Sequence, residues 1–222
     1  TAGDIPDNNS LWRWNQNSLT GQKILNNFPS GGTESLFYFD IAHTSNKLWR
    51  AGSGSLSSKI LEYNLSLDPF NLEFWKEISL PEGFFIGEGL AAKQQDGIDY
   101  LIVITGFGGN TLVTGGVFEL DISGEIAIPY FKFNLSENRH VYGDFYLSTN
   151  NKLIVNERSG VTGNFEYRIS QYSYPDGLHE VSITPSNPEF NSINSFWNSG
   201  STLYVVKGGT ADIPGIRSIS TD

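Results

Sequence analysis

The sequence contains no cysteine among its 222 residues. Disulfide bonds, zinc sites built on thiolates and cysteine nucleophiles are therefore excluded. The compartment is not fixed by this, because a secreted protein with a sizeable core can do without disulfides. Basic residues are also few, since 14 Lys and Arg stand against 24 Asp and Glu, a net charge of -10. A surface of that sign repels a phosphate backbone, so we expect no nucleic-acid partner.

Long apolar runs and helical periodicity are missing as well. The longest uninterrupted apolar run, residues 100–104, is far shorter than the roughly 20 residues that a membrane-spanning helix needs, so we expect no membrane insertion. No extended stretch repeats apolar residues at every third or fourth position. Aromatic residues, by contrast, reach 14% and glycines number 24, a composition typical of short strands joined by tight turns. The sequence predicts an all-β protein.

One strand-like pattern returns four times along the chain. Its anchor leucine recurs at spacings of 53, 52 and 50 residues, at Leu48, Leu101, Leu153 and Leu203. A second pattern, in which apolar and polar residues alternate, keeps nearly the same period at residues 11–14, 60–63, 117–120, 169–172 and 216–219. Small sheets that repeat at this period can hide both apolar faces only against neighbouring sheets, which is the packing of a β-propeller.

We therefore predict a β-propeller of four-stranded antiparallel blades in residues 10–222, after a leader or linker at residues 1–9. The last pass lacks a fourth strand, so residues 11–28 are expected to complete the last blade and remove exposed edges. One segment with the pattern of a blade's third strand is then surplus to four blades. The number of blades could therefore be four or five, or the chain could form a sector of a larger ring. A β-solenoid or two sandwiches are the alternatives. The sequence starts at Thr1 rather than at methionine, as a processed chain or a segment of a longer protein would.

A polar residue precedes each predicted innermost strand: Asp40, Glu88, Asp144 and Asn194. The innermost strands of a propeller surround its central channel, so these side chains are expected to form one ring at the channel mouth. Three carboxylates in such a ring would suit Ca²⁺, and no other cofactor is expected. The alternative is that each side chain caps its own turn through a hydrogen bond to the backbone.

Tryptophans and histidines offer further candidates. The tryptophans are either a sugar-stacking platform on the outside or core residues between sheets: Trp12, Trp14, Trp49, Trp75 and Trp197. His43 and His140 could act as general bases, but neither stands near a nucleophile in a recognisable motif. We expect solvated histidines, including His179 in an exposed strand. Paired carboxylates for glycoside hydrolysis have no spacing here that selects a pair. The sequence therefore predicts no enzyme.

Two segments resemble repeat segments in structural tail and fibre proteins of tailed bacteriophages: residues 40–49 (Asp-Ile-Ala-His-Thr-Ser-Asn-Lys-Leu-Trp) and residues 60–70 (Ile-Leu-Glu-Tyr-Asn-Leu-Ser-Leu-Asp-Pro-Phe). The likeness extends through residues 131–135, 143–145 and 151–154. It implies a virion-associated or surface-exposed module, and no catalytic residues come with it.

From this resemblance we expect a non-enzymatic β-propeller that serves in assembly or in host or glycan recognition. Its place would be extracellular or on a virion, and its partners would be other virion or surface subunits and cell-surface glycans. The alternatives are a secreted carbohydrate-binding lectin and an extracellular glycan hydrolase or lyase.

Overall fold

The computed structural model consists of β-strands and turns, and no helix occurs in the part of the chain that it describes. The described residues are 11–15, 20–25, 38–52, 59–105, 114–136, 138–161, 164–184, 193–199, 202–207 and 215–220. Before residue 41 and after residue 184, the description covers the backbone and not the side chains. The all-β prediction is confirmed, and none of the described residues form a helix able to cross a membrane. The predicted leader at residues 1–9 lies outside the described residues.

The strands form one hairpin and four antiparallel sheets, in each of which every strand pairs with the next along the chain. The N-terminal hairpin consists of β1 (Leu11–Asn15) and β2 (Thr20–Leu25). Sheet 1 consists of β3 (Tyr38–His43), β4 (Lys47–Gly52), β5 (Lys59–Leu67) and β6 (Phe70–Ser79). Sheet 2 consists of β7 (Ala91–Gln95), β8 (Ile98–Ile104), β9 (Gly116–Asp121) and β10 (Ile128–Asn134). Sheet 3 consists of β11 (His140–Leu147), β12 (Lys152–Val161), β13 (Asn164–Ser173) and β14 (His179–Ile183). Sheet 4 consists of β15 (Ile193–Ser199), β16 (Thr202–Lys207) and β17 (Gly215–Ser220).

Each sequence repeat corresponds to one sheet. The anchor leucine lies in the second strand every time, and it pairs with the last residue of the alternating third-strand pattern. The pairs are Leu48 with Tyr63, Leu101 with Leu120, Leu153 with Tyr172 and Leu203 with Ile219. The two sequence patterns are therefore the second and third strands of each sheet, which pair in the same register in all four sheets. The N-terminal hairpin pairs within itself and sheet 4 has three strands, so completion of the last blade by residues 11–28 stays a prediction.

Sheet 2 is buried on both faces, as its second strand demonstrates. Along β8, Leu101 and Val103 pack in a cluster shared with sheet 1, whereas Ile102 and Ile104 pack in a cluster shared with sheet 3. All four side chains are fully buried, and each contributes about 2 kcal/mol relative to an exposed position. The apolar run in the sequence arises from this position, because a strand covered on both sides has no polar face.

A buried carboxylate from the third strand ties each of the first two sheets to its successor. In sheet 1, Glu62 Oε1 lies 3.0 Å from Lys47 Nζ, and the same ammonium lies 3.1 Å from Asp99 Oδ2 of sheet 2. In sheet 2, Glu119 accepts a hydrogen bond from the hydroxyl of Tyr174 in sheet 3. Removing one partner of such a buried pair costs about 3 to 5 kcal/mol. These contacts fix which sheet lies beside which.

The first strands of the sheets follow one another in space. Strand β3 contacts β7, β7 contacts β11, and β11 contacts β15. These strands therefore lie side by side although they are far apart in the sequence. Any site assembled from them draws its side chains from several sheets.

Candidate functional site around Tyr142

The four polar residues predicted to ring a central channel all lie at the first strands, but three of them lie within strands rather than before them. Asp40 lies inside β3, Asp144 inside β11 and Asn194 inside β15. Glu88 precedes its strand, β7, as predicted. The side chains of Asp40 and Asn194 lie outside the described residues, so the ring of four stays a prediction.

A β-bulge explains why the strands begin earlier than the sequence suggested. In three sheets the first strand loses its register with the second strand at the level of the predicted polar residue. The breaks lie between Tyr38 and Asp40, between Val141 and Phe145, and between Ile193 and Ser195. Bulges of this kind re-aim side chains and are frequent beside active sites. The polar residues therefore mark a structural irregularity that recurs from sheet to sheet.

Glu88 is held between two glycines that are pressed against other strands. The Gly87 N–H donates a hydrogen bond of 2.7 Å to the Ile104 carbonyl, and a methyl group on Gly87 would lie 2.6 Å from that oxygen. Gly89 has φ +92°, and a methyl group there would lie 2.5 Å from Cδ1 of the Phe145 ring. Both positions thus require glycine, and together they bring Glu88 against β11.

Asp144 lies beside this glycine segment. A methyl group on Gly89 would lie 3.1 Å from Asp144 Oδ1. The same oxygen accepts a hydrogen bond of 2.8 Å from the Phe145 N–H. This short-range bond agrees with the alternative interpretation, in which the carboxylate caps its own backbone. It also holds the carboxylate in one orientation beside Gly89.

Tyr142 lies where the groups from β11, β12, β13 and the segment before β7 meet. Its ring packs edge to face against Tyr167, with centroids 5.4 Å apart. Burial raises the pKa of the Tyr142 phenol; Tyr167 and the negative charge of Glu88 raise it further, while Arg158 opposes them. The phenol therefore keeps its proton at neutral pH and acts as a hydrogen-bond donor.

Arg158 is held against Tyr142 by two aromatic rings. Its guanidinium carbon lies 4.3 Å from the centroid of Tyr142 and 4.3 Å from the centroid of Phe165. Its Nε donates a hydrogen bond of 3.2 Å to His140 Nε2. A cation buried between π-faces is attracted to both rings. The arrangement fixes a positive charge beside the Tyr142 phenol.

His140 departs from the sequence prediction of a solvated histidine. His43 and His179 are exposed as expected, whereas His140 is only 2% exposed. Burial and the nearby Arg158 charge lower the pKa of His140 to about 4. The imidazole is therefore neutral at neutral pH, with its Nε2 accepting from Arg158 and its proton assigned to Nδ1. The sequence missed this because the partner lies across the strand pair, at Arg158.

We refer to Glu88, His140, Tyr142, Asp144, Arg158 and Tyr167 as the Tyr142 cluster. It combines two carboxylates, a protonated phenol and a buried guanidinium, which are a proton acceptor and two kinds of donor for developing negative charge. The sequence pointed to both carboxylates and named His140 as a candidate base, but it did not indicate Tyr142, Arg158 or Tyr167. One signal was present, since Asn156, Glu157 and Arg158 directly continue the apolar run of β12, where buried charged residues are rare unless they are paired.

The predicted calcium site has no complete donor set among the described side chains. No group of three or more His, Asp or Glu there lies close enough together to hold a metal ion. Because the Asp40 side chain lies outside that set, a calcium ion held by Asp40, Glu88 and Asp144 stays a prediction.

No protein-family model matches the sequence, and no curated protein matches it either. Solved structures do. One is a protein from Bacteroides uniformis ATCC 8492, provisionally assigned as a 6-phosphogluconolactonase, with a TM-score of 0.51 and 11% identity over 95% of this chain and 74% of that chain. Another is a protein from Bacteroides fragilis NCTC 9343 with the same provisional assignment, at a TM-score of 0.51 and 8% identity over 95% and 73%. At these identities the likeness shows a shared fold.

These comparisons correct the functional prediction. We expected a non-enzymatic module of a virion or an outer surface, with a lectin as an alternative, and that prediction is wrong because both structural neighbours carry an enzyme's name. The sequence has no catalytic motif, and the residues of the Tyr142 cluster come from segments that no short spacing connects. The bacteriophage resemblance is not tested by these comparisons.

Proposed function

We propose that this chain is a hydrolase that opens the lactone ring of a sugar acid, with its active site at the Tyr142 cluster. The observation that carries the proposal is the meeting of the Glu88 segment with Tyr142 and Asp144, which puts carboxylates beside a protonated phenol. The assignment of two structural neighbours as 6-phosphogluconolactonases supports a lactone as the substrate.

We propose further that the four sheets are blades of a β-propeller, with the first strands around its axis. Three observations support this arrangement. Each sheet is a simple antiparallel meander, sheet 2 is covered on both faces, and neighbouring first strands contact one another in sequence order. The mouth of the axis is where a propeller with small blades offers a concave site to a ligand.

Lactone hydrolysis needs a base for water and a donor for the carbonyl oxygen. Glu88 accepts a proton from a water molecule as the water oxygen bonds to the carbonyl carbon of the lactone. The Tyr142 hydroxyl donates a hydrogen bond to the oxygen that becomes negative, and the Arg158 charge favours the same oxygen. The carbonyl then re-forms and the bond to the ring oxygen breaks. That oxygen takes the proton held by Glu88, which restores the carboxylate, and the open-chain sugar acid is released.

Asp144 has a positioning role in this scheme. Its Oδ1 is engaged by the Phe145 N–H, which orients the carboxylate while Gly89 holds the neighbouring Glu88 segment against it.

The test is an assay of hydrolysis with glucono-δ-lactone and with its 6-phosphate. The measured quantity is the rate of acid release above the spontaneous rate. We expect the wild-type chain to accelerate at least one of them, and Glu88→Gln to lower kcat by about 100-fold or more. Glu82→Gln is the matched control, because Glu82 is exposed and lies in the same connecting segment.

Two results would refute the proposal. One is the absence of any acceleration for either lactone by folded wild-type protein. The other is an equal rate of lactone hydrolysis in the Glu88→Gln and Glu82→Gln variants, since the catalytic groups would then lie elsewhere in the molecule.

A further inference from the structure

The fourth strand of sheets 1, 2 and 3 carries a bulge, in which it has one residue more than the facing stretch of the third strand. The bulge lies at the same level in sheets 1 and 3 and two residues away from that level in sheet 2. The extra residues are Trp75, Lys132 and Glu180. In sheet 2 the extra residue lies 2.5 Å from Glu119 in an ion pair. In sheet 3 it accepts a hydrogen bond of 2.7 Å from Gln171. Sheet 1 instead has an indole there, and that indole is 61% exposed.

A cleft opens beside this tryptophan, between sheets 1 and 2. Its volume is about 310 Å³, and its lining includes Trp75, Ile98, Lys47, Asp99 and Glu62. Exposure falls from Trp75 and Ile98, which are 61% and 40% exposed, to Glu62, which is 1% exposed. The cleft therefore has an apolar rim and a charged interior. Its volume is at the lower end of the range for small-molecule sites.

The charges within the cleft compensate one another. Lys47 Nζ lies 3.0 Å from Glu62 Oε1 and 3.1 Å from Asp99 Oδ2. The other lysine, Lys76, donates hydrogen bonds to the carbonyls of residues 122–124 at 3.0, 3.2 and 3.2 Å. Two ammonium groups thus face two carboxylates. A free ion would find no net charge to attract it, so the cleft favours a neutral ligand.

The interior nevertheless offers hydrogen bonds to a polar ligand. An ammonium has three N–H donors, and the two ion pairs of Lys47 use two of them. Asp99 accepts from Lys47 and from Gln94 Nε2 at 3.0 Å, and a carboxylate can accept about four bonds. A charged donor and a charged acceptor side by side match a pair of neighbouring hydroxyl groups, one of which accepts while the other donates.

We propose that this cleft binds the pyranose ring of a neutral sugar, with one face of the ring on Trp75 and two adjacent hydroxyls on Lys47 and Asp99. The C–H face of a sugar ring is apolar and can stack on the exposed Trp75 indole. The hydroxyls of the sugar are neutral donors and acceptors, which can pair with the charged groups in the interior of the cleft. The site lies at the fourth strand of sheet 1, whereas the Tyr142 cluster lies at the first strands. It does not rest on the proposed hydrolase activity.

The test is an NMR titration of the ¹⁵N-labelled chain with methyl β-glucopyranoside and methyl β-galactopyranoside. We expect saturable shifts at the Trp75 indole and at the Gly97 and Ser123 amides for at least one glycoside. Trp75→Ala should weaken binding, read from the two amides, by about tenfold. Asp99→Asn should weaken it several-fold. Leu178→Ala is the matched control, because Leu178 is also a large exposed apolar side chain and lies in the connection between β13 and β14, outside the cleft lining.

Three outcomes would overturn the proposal. The first is the absence of saturable shifts at these positions with both glycosides. The second is an equal affinity for the glycoside in the Trp75→Ala and Leu178→Ala variants. The third is an equal response to tetramethylammonium, which would make the indole a site for organic cations.

Discussion

The hydroxyl of Tyr174 in sheet 3 donates a hydrogen bond to Glu119 Oε1 in sheet 2. Lys93 and Lys132 approach the same carboxylate at 2.8 and 2.5 Å. Burial alone would raise the pKa of Glu119, but the hydrogen bonds from Lys132, Lys93 and Tyr174 lower it from 4.5 to about 2. The ionised carboxylate therefore links sheets 2 and 3, and its ionisation contributes to the stability of the folded protein.

Glu119→Gln should destabilise the protein by about 3 kcal/mol at neutral pH, because the glutamine cannot neutralise two lysines. Since the folded pKa lies below the unfolded one, the contribution is fully present above pH 4.5 and fades as the pH falls towards about 2. Urea unfolding of both proteins should therefore give curves that differ at neutral pH and converge in acid. A difference that stays constant with pH would contradict this account.

Lowering the pH should destabilise the fold through His140. Its pKa is 6.5 when unfolded and about 4 when folded, so the unfolded state binds more protons between these values. The free energy of unfolding should fall by about 3 kcal/mol from neutral pH to about pH 4 on account of this residue. His140→Gln keeps an acceptor for Arg158 but does not titrate, so it should flatten the pH dependence in that window.

His179→Gln is the control for this experiment. His179 is exposed, so its replacement should leave the pH dependence of unfolding as in the wild type. Equal slopes for wild type and His140→Gln would show that the buried imidazole does not titrate as described.

Gly89→Ala should disrupt the Tyr142 cluster as well as the fold. The alanine would take a φ of +92° and would place a methyl group 2.5 Å from the Phe145 ring, so we expect a loss of about 3 kcal/mol and a displaced Glu88. Gly97 has φ +79° but open space around a methyl group, so Gly97→Ala should cost only about 1 kcal/mol. Thermal unfolding and the lactone assay measure both effects, and equal losses in the two variants would contradict the packing at Gly89.

The strands were predictable because each depends on a local pattern. The apolar run around Leu101 and the alternating residues 60–63 both indicated strands. The alternation predicted that residues 60–63 are half-buried, and that was wrong, because all four side chains are buried. The recurrence of both patterns then predicted one sheet per repeat.

The site was predictable only in part, because its geometry depends on bulges and on contacts between sheets. The irregularity in β11, where residues 142–144 face the single residue Asn156 of β12, changes where Asp144 points without any mark in the composition. Arg158 meets the Tyr142 and Phe165 rings only once three strands have paired in register. A cluster assembled in this way leaves no short motif in the sequence, which is why the sequence led to a non-enzymatic prediction.

The central claim, that Glu88 and Tyr142 act together on one lactone, is tested most directly by a double-mutant cycle. The rates of lactone hydrolysis are compared for wild type, Glu88→Gln, Tyr142→Phe and the double variant. If base and donor serve the same transition state, the double variant should be little slower than the slower single variant. If the two losses in rate instead multiply, or if neither substitution slows the reaction, the two side chains do not form one active site and the account fails.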